Sequence, residues 1–206
     1  MARYRGALCR LCRREGMQLY LKASRCYTEK CAFKKKGYAP GQHGLRRLRP
    51  SEFRNQLREK QKVKRMYGVF ERQFRKYFHM AEKLHGVTGD NLLMLLEKRL
   101  DNVLYRAGIA QSRNEARNLI NHRHIMLNKH RVDIPSIQVK AGDEIEVLKK
   151  GLVPVLNAVQ TKEKAAIPEW LSLDDQNLKV QVLAEPKREN ITAEINERLI
   201  VELYSK

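Results

Sequence analysis

The stretch LDNVLYRAGIAQSRNEARNLINHRHIMLN, residues 100–128, carries the pattern that decides the fold of this chain. Its first residues continue an apolar repeat that runs through DNLLMLLEKRLDNVLYRAG, which predicts one helix ending at Gly108. A second helix follows, because Ser112 and Glu115 form the S-x-x-E pattern of a capping box. Short alternating runs then predict antiparallel strands in HIMLN, KHRVDI, SIQVK and AGDEIEVL. Helices followed by a small antiparallel sheet indicate an α+β module.

The residues on either side of this module predict further helices and strands. SEFRNQLREKQKVKRMYG predicts a helix with Ser51 as its N-cap, and VFERQFRKYFHMAEKLHG predicts an amphipathic helix ending near Gly86. Residues 152–163 predict another helix, and residues 169–183 predict two strands around a polar turn. The terminal NERLIVELYSK fits a strand or a helix, and a helix is favoured because Asn196 can cap it.

The net charge is strongly positive and unevenly distributed. The chain carries 42 Lys and Arg against 23 Asp and Glu, a net charge of +19. Residues 1–80 hold 23 basic and 5 acidic side chains, whereas residues 141–206 hold 9 basic and 12 acidic ones. In a lone compact protein so many basic side chains would repel one another, so the N-terminal part predicts a polyanionic partner. The acidic end predicts contact with a basic protein.

Several classes of protein are disfavoured by what the sequence lacks. No apolar run approaches the ~20 residues that span a bilayer, and the first residues lack the apolar core of a secretory signal. We therefore expect a cytoplasmic protein without a membrane partner. The sequence has no Gly-rich phosphate loop, no G-x-S-x-G and no HExxH. We expect no catalytic residues, no enzyme activity and no small-molecule substrate.

All four cysteines lie close together, as Cys9-x2-Cys12 and Cys26-x4-Cys31. Two short-spaced pairs on separate turns suit tetrahedral coordination, so they predict one bound Zn²⁺ ion. Four sulfur ligands leave no open position for water, which makes such a site structural rather than catalytic. Two disulfides, or redox-active or unrelated thiols, are the alternatives, although a cytosolic chain rarely keeps disulfides.

A basic face is predicted on the first of the two helices that precede the module. Arg54, Arg58, Lys62 and Arg65 follow one another at spacings of four, four and three residues, which places them on one side. Acidic residues are too few to balance the whole run 46–76, so phosphate contact is favoured over a solvated face. Neutralising Arg54, Arg58 and Lys62 is then expected to weaken RNA binding with thermal stability nearly unchanged.

A second basic site is predicted on the capped helix. Arg113 and Arg117 lie one turn apart there, with His122 and Arg123 at its end, and an arginine-bearing helix N-terminus suits a phosphate backbone. Tyrosines in the basic N-terminal part fit stacking on exposed bases as well as ordinary packing. The candidate RNA-binding residues are Arg3, Tyr4, Arg10, Arg13, Arg14, Lys22, Arg46, Arg47, Arg49, Arg54, Arg58, Lys62, Arg65, Arg72, Arg75, Lys76, Arg113, Arg117, His122 and Arg123.

One triplet points to a different chemistry. Arg99-Leu100-Asp101 matches an Arg-Leu-Asp sequence that also carries the catalytic aspartate of pseudouridine synthases. Here Asp101 lies within a strongly helical apolar pattern, so a carboxylate on the helix surface or at a cap is favoured.

The segment 100–128 resembles the RNA-binding module of ribosomal small-subunit protein four and of several RNA-modifying enzymes. The flanks distinguish between these relatives, since LREKQKVKRMYGVFERQFRKYF (57–78), YAPGQHG (38–44), EWLSLD (169–174) and RLIVELYSK resemble the bacterial ribosomal family. The resemblance covers essentially the whole chain. The cysteines match the zinc-binding form of that family; some members lack them.

The resemblance implies a structural constituent of the small ribosomal subunit. Members of the family are primary binders of small-subunit rRNA that nucleate assembly and contribute to translational accuracy. It also implies contact with small-subunit protein five and other ribosomal neighbours and, in some members, with mRNA to repress the protein's own messenger. An RNA-modifying enzyme of the pseudouridine synthase type, built on the same module, is the alternative.

The sequence and the resemblance together predict three parts. Residues 1–45 would form a zinc-bound, extended basic segment, residues 46–90 a helical rRNA-binding domain completed by residues 184–206, and residues 91–183 the RNA-binding module. Arg123 and Lys129 stand where related modules often have Gly, and both positions are expected to need a positive φ. Because this is costly for these residues, a longer loop is expected in the hairpin at 125–132.

Overall fold

A computed structural model describes residues 4–46, 49, 51–148, 151, 155–156, 158, 167–174, 176–191 and 194–205. The chain divides into two compact units, Met1–Asn91 with Ala193–Lys206, and Leu92–Thr192. The predicted helix at 152–163 falls mostly outside the described residues, and the predicted boundaries at residues 45 and 183 stay predictions. The α-helices of the described part are α1 (Leu8–Glu15), α2 (Ala32–Lys35), α3 (Glu52–Met66), α4 (Glu71–Glu82), α5 (Thr88–Glu97), α6 (Leu100–Ala107), α7 (Arg113–Asn121) and α8 (Glu197–Tyr204).

The N-terminal segment is not extended throughout, as the sequence suggested, because it begins with α1. This helix ends at Gly16, which has a φ of 71° and donates its backbone N–H to the Cys12 carbonyl. Glycine adopts this left-handed conformation without steric cost, so the chain can turn directly after the helix. A 3₁₀ turn at Ala23–Cys26 and the single turn of α2 follow.

The helices α3 and α4 form as the sequence predicted. The Ser51 hydroxyl accepts a hydrogen bond from the Arg54 N–H at 3.2 Å, which confirms Ser51 as the N-cap of α3. The apolar side of α4 is buried through Phe74, Tyr77 and Phe78. Phe53, in the first turn of α3, is exposed.

The terminal helix α8 packs against α3 and α4. The rings of Phe78 and Tyr204 stack with their centroids 4.4 Å apart. Asn196 precedes α8, but its side chain does not cap the helix. Its backbone N–H donates instead to Glu59 Oε1 at 2.8 Å, so a carboxylate of α3 fixes the beginning of α8.

The prediction of one continuous helix across residues 90–108 is wrong, because α5 and α6 are separate. Arg99 has an extended backbone, with ψ of 134°, and pairs with Gln138 in an isolated β-bridge. The N–H groups of Leu100 and Asp101 donate to the carbonyls of Ile137 and Pro135 at 2.9 and 3.1 Å. The segment from 135 to 139 therefore supplies the acceptors that a continuous helix would have supplied itself.

The second unit contains a five-stranded antiparallel sheet with the order β2-β1-β3-β5-β4. The predicted strand in SIQVK is absent from the described residues, where that run contributes only the bridge of Gln138. The helices α6 and α7 pack with the sheet around a core that includes Leu104, Ile120 and Trp170. The strands are β1 (Ile125–Leu127), β2 (His130–Val132), β3 (Glu144–Val147), β4 (Leu171–Asp174) and β5 (Lys179–Val182).

The β1–β2 connection is a two-residue turn. Leu127 pairs with His130, so only Asn128 and Lys129 lie between the strands, with φ of 48° and 66°. Positive φ at both central residues is the mark of the tight turn that suits the twist of a hairpin. The expected positive φ at Lys129, and at Arg123 with 58°, is confirmed, whereas the expected longer loop is wrong.

Candidate nucleic-acid interface and cysteine cluster

The four cysteines are brought together by the short helices of the N-terminal segment. Cys9 and Cys12 lie one turn apart on α1, Cys26 ends the 3₁₀ turn and Cys31 immediately precedes α2. All four thiols are free, so the disulfide alternative is not what the structure shows. Cys12, Cys26 and Cys31 are buried, and Cys9 is half-buried.

Each buried sulfur accepts hydrogen bonds from the surrounding loops. The Lys22 N–H donates to Cys26 Sγ at 3.3 Å, and Gln18 Nε2 donates to Cys31 Sγ at 3.4 Å. Burial raises the pKa of Cys12 and of Cys26, backbone N–H donors oppose this, and the neighbouring cysteines add to it. Burial also raises the pKa of Cys31, but N–H donors from Lys34, Gln18 and Phe33 outweigh it and the net pKa is lowered.

The cluster fits a metal by its chemistry, but its geometry does not close around one. The sulfurs are near enough to influence one another's pKa, and N–H donors of the kind that stabilise thiolates surround them. Across the described ranges, no group of three or more His, Cys, Asp or Glu side chains is placed to hold a metal ion. The zinc prediction therefore stays a prediction.

The basic stripe predicted on α3 is largely occupied by contacts within the protein. Arg58 Nη1 lies 3.4 Å from Glu15 Oε1, and Arg65 Nη1 also bonds that oxygen. The Glu15 side chain is only 1% exposed, and its second oxygen, Oε2, is buried without a hydrogen-bond partner among the described residues. Burial raises the pKa of Glu15, and the two arginines oppose this. This buried ion pair joins α1 to α3.

Other α3 cations are engaged in the same way. Lys60 and Lys64 donate to the two carboxylate oxygens of Glu71 at 2.6 and 2.9 Å, and the Tyr204 hydroxyl donates to Glu71 Oε1 at 3.0 Å. Despite partial burial, these three donors lower the pKa of Glu71 to about 2. Lys62 binds Glu59 at 2.6 Å and the Glu194 carbonyl at 2.8 Å. These contacts hold α3, α4 and α8 together.

The outward side of α4 is different, because its cations are exposed. Within the described part of the chain, the side chains of Arg72, Lys76 and Lys83 form no hydrogen bond or ion pair. Sequence reasoning missed Lys83, although the spacing of Arg72, Lys76, His79 and Lys83 by four, three and four residues places it on the same face. An open groove runs along this side and is lined by Phe70, Arg72, Gln73, Arg75, Lys76, His79, Met80 and Lys83.

Arg117 is not at the surface, which corrects its assignment as an RNA-binding residue. Its side chain is buried, and Nε donates to Asp101 Oδ2 at 2.6 Å. Arg99 is also buried and donates to both oxygens of Asp101, at 3.0 and 2.8 Å. Asp101 is 1% exposed, so the expectation of a surface or capping carboxylate is wrong. Asp101 instead accepts hydrogen bonds from two buried arginines, Arg99 and Arg117.

Arg113 lies at the edge of the same region. Its Nε donates to Asn102 Oδ1 at 2.8 Å, and its guanidinium carbon lies 4.4 Å from the centre of the Tyr105 ring. The Ser112 hydroxyl accepts from the Glu115 N–H, while the Glu115 carboxylate accepts from the Gln111 N–H instead of closing the usual capping box. Arg113 is thus half-buried at the N-terminus of α7, and its guanidinium already donates a hydrogen bond within the protein.

The remaining candidate residues differ in exposure. His122 and Arg123 are exposed beyond α7, where Arg123 pairs with Asp133 at 2.9 Å and the His122 ring stacks on His124. Arg13 is half-buried and donates to the Tyr38 carbonyl at 3.0 Å, and Arg54 is half-buried on α3. Arg3 and Arg47 lie outside the described residues. The exposed candidates of the N-terminal unit are Tyr4, Arg10, Arg14, Lys22, Arg46, Arg49, Arg72, Arg75 and Lys76.

The described helices include none that is long and apolar enough to cross a membrane.

Comparison with known families matches residues 3–97 to the ribosomal protein S4/S9 N-terminal domain and residues 98–145 to the S4 domain. Three relatives align over 100% of this chain and 100% of their own length. They are small ribosomal subunit protein uS4 of Syntrophus aciditrophicus (55% identical), uS4 of Caldicellulosiruptor bescii (57%) and uS4A of Alkaliphilus metalliredigens (56%).

Proposed function

The chain belongs to the uS4 family of small ribosomal subunit proteins, and from that premise we propose that it is a structural constituent of this subunit that binds its rRNA. The observation that carries this proposal is the exposed cationic side of α4. Cations without an acidic partner are costly in a chain of charge +19, and phosphates would remove that cost. Binding would rest on charge neutralisation and on the shape of folded RNA, with bases contacted where they are unstacked.

The test is binding of the full chain to an rRNA fragment that contains a multi-helix junction. Affinity should fall steeply as salt rises, because each phosphate contact releases counterions. The protein should also sediment with small ribosomal subunits in a sucrose gradient at high salt. A binding constant that stays flat between about 50 and 200 mM salt would contradict the electrostatic mechanism.

The finer role rests on the family resemblance. We propose that the protein binds early in small-subunit assembly, contributes to translational accuracy and contacts small-subunit protein five and other ribosomal neighbours. The excess of acidic residues after residue 141 supports contact with a basic protein partner. Repression of its own messenger would be tested by the affinity of the protein for that mRNA, compared with its affinity for the rRNA fragment.

We also propose that Cys9, Cys12, Cys26 and Cys31 hold one structural zinc ion. What supports this is the set of free, largely buried thiols surrounded by N–H donors in a segment with little apolar core. The metal would supply folding free energy to this segment, on the order of 10 kcal/mol. Metal analysis of protein purified under reducing conditions should give about one zinc per chain, and a metal-free protein with a fully folded N-terminal segment would contradict it.

The enzyme alternative loses its one candidate catalytic residue. Asp101 is buried, and its two oxygens are bonded to Arg99 and Arg117, so it is not presented to a substrate. After incubation of the protein with rRNA, digestion to nucleosides and their chromatographic separation should show no newly formed pseudouridine, which has the same mass as uridine. A modified base would restore the alternative.

A further inference from the structure

Two tyrosines of the cysteine-rich segment form an aromatic pair at the surface. The rings of Tyr20 and Tyr27 stack with their centroids 5.1 Å apart and an interplanar angle of 29°. Tyr20 is 39% exposed and Tyr27 is 66% exposed. Aromatic side chains contribute most to stability where they are buried in a core or an interface. This pair instead keeps much of the Tyr27 ring open to solvent.

The loop around the cysteines holds the pair in position. Tyr20 has a φ of 51°. This conformation costs a non-glycine residue free energy and persists only where the surrounding structure imposes it. Its neighbour Leu19 is almost fully buried, and the Lys22 N–H is bonded to Cys26 Sγ. The Tyr27 N–H donates to the Ser24 carbonyl at 3.1 Å. The backbone on both sides of the pair is thus anchored, so the open ring is preorganised.

The charges next to the pair are positive. Lys34 Nζ lies 3.5 Å from the Tyr27 carbonyl and interacts electrostatically with Tyr20. The acidic residue nearest in sequence, Glu29, is paired with Lys34 at 2.7 Å. Lys22, Arg25 and Lys30 are exposed around the two tyrosines in the sequence. An apolar protein partner would require an apolar rim, whereas an aromatic ring among cations is what an unpaired nucleotide requires.

We propose that the Tyr20–Tyr27 pair is a stacking platform for one unpaired RNA base, with Tyr27 contacting the base and Tyr20 supporting it from behind. This rests on the proposed rRNA binding and adds a site that reads a bulged or looped nucleotide rather than the phosphate backbone. Tyr38 provides the contrast within the same segment. One face of its ring is occupied by Arg13, whose guanidinium carbon lies 4.9 Å from the ring centre, and it is 38% exposed against 66% for Tyr27.

The experiment uses the full chain and the junction-containing rRNA fragment, with affinity measured across a range of salt concentrations. Stacking on an aromatic side chain is worth roughly 5- to 100-fold in affinity for one base. Tyr27→Leu keeps the bulk of the side chain but not its aromatic face, so it should weaken binding by about that factor. The slope of affinity against salt should stay that of the wild type, because no phosphate contact is lost. Tyr27→Phe and Tyr27→Trp should bind within about twofold of the wild type or more tightly.

Two controls distinguish loss of the stacking contact from damage to the cysteine segment. The metal content and circular dichroism of each variant show whether the cysteine segment is intact, and Tyr20→Leu should weaken binding less than Tyr27→Leu. If Tyr27→Leu binds the fragment as well as the wild type does, the platform is refuted while the proposed function stands. An affinity loss in Tyr27→Phe equal to that in Tyr27→Leu would also refute it, because a hydroxyl contact would then be responsible. If the wild type itself fails to bind, the proposed function fails first.

Discussion

Neutralising cations on α4 should weaken RNA binding and leave stability almost unchanged, whereas neutralising cations on α3 should mainly lower stability. Arg72, Lys76 and Lys83 on α4 are exposed and have no partner within the described residues, so their replacement by Gln should change the free energy of unfolding by less than about 0.5 kcal/mol. If each contacts one RNA phosphate, the slope of log affinity against log salt falls by about 0.7 to 0.9 per residue. At 0.15 M salt three such contacts amount to about 100-fold in affinity.

Neutralising Arg58 and Arg65 on α3 should mainly affect stability. The double replacement by Gln leaves the Glu15 carboxylate buried and without its cations. Breaking a fully buried ion pair costs about 3–5 kcal/mol, but the two arginine side chains are 28% and 22% exposed, and solvent screens part of this. We expect a loss of about 2 kcal/mol, and a decrease of roughly 9 °C in the Tm of this unit.

The assay combines urea unfolding with RNA binding across a range of salt concentrations on the same three proteins. A further variant, with Arg58→Gln, Arg65→Gln and Glu15→Gln together, removes the buried charge and should recover part of the lost stability. The reasoning is refuted if the α4 variant unfolds as easily as the α3 variant. It is also refuted if the α3 variant keeps wild-type stability, because the Glu15 contact would then contribute nothing. This prediction replaces the expectation, drawn from the sequence, that the α3 stripe can be neutralised with stability nearly unchanged.

Three further changes have expected outcomes. Glu71→Gln should lower stability at pH 7 by about 1 kcal/mol after allowance for the 43% exposure of its side chain. Because the folded pKa is lowered from 4.5 to about 2, the difference from wild type in urea unfolding should persist above pH 4.5 and vanish as the pH falls toward 2; a pH-independent difference would contradict it. Asp101→Asn removes the carboxylate that both buried arginines bond and should cost about 3–5 kcal/mol in chemical denaturation, and a loss below 1 kcal/mol would show that the network is not needed. Lys129→Gly should raise stability by about 0.5 kcal/mol, because glycine accepts the positive φ of the hairpin turn; a lower Tm would mean that the Lys129 side chain contributes a contact.

The elements with strong local signals could be predicted from the sequence. The period of apolar residues placed α4, and the hydroxyls of Ser51 and Ser112 marked where α3 and α7 begin. The positive φ of Arg123 was expected from the glycine common at that position in related modules. Each of these features depends on residues within one or two turns of one another, which is the range over which a sequence pattern is informative.

The features that were missed depend on residues far apart in the chain. The break before α6 arises because Leu100 and Asp101 bond to carbonyls more than thirty residues away, and the local pattern there is helical without interruption. Glu15 lies 43 and 50 residues from the arginines it binds. Periodicity places Arg58 and Arg65 on one face of α3 but cannot show that a carboxylate from α1 covers that face. The basic stripe was therefore located correctly, while its contacts were not foreseen.

The acidic residues, rather than the basic ones, determine which part of the N-terminal unit is available to RNA. Residues 1–80 contain only 5 carboxylates, and they are placed unevenly. Glu15, Glu59 and Glu71 between them bind Arg58, Lys60, Lys62, Lys64 and Arg65, all on α3. On α4, by contrast, Glu71 at its beginning faces α3, and Glu82 at its end pairs with His79. Cations on the two helices thus have different surroundings, since most of those on α3 are paired with carboxylates within the unit. It follows that the RNA-facing surface of such a chain is found by setting aside the cations that its few carboxylates bind. Of the helices α3 and α4, this leaves α4.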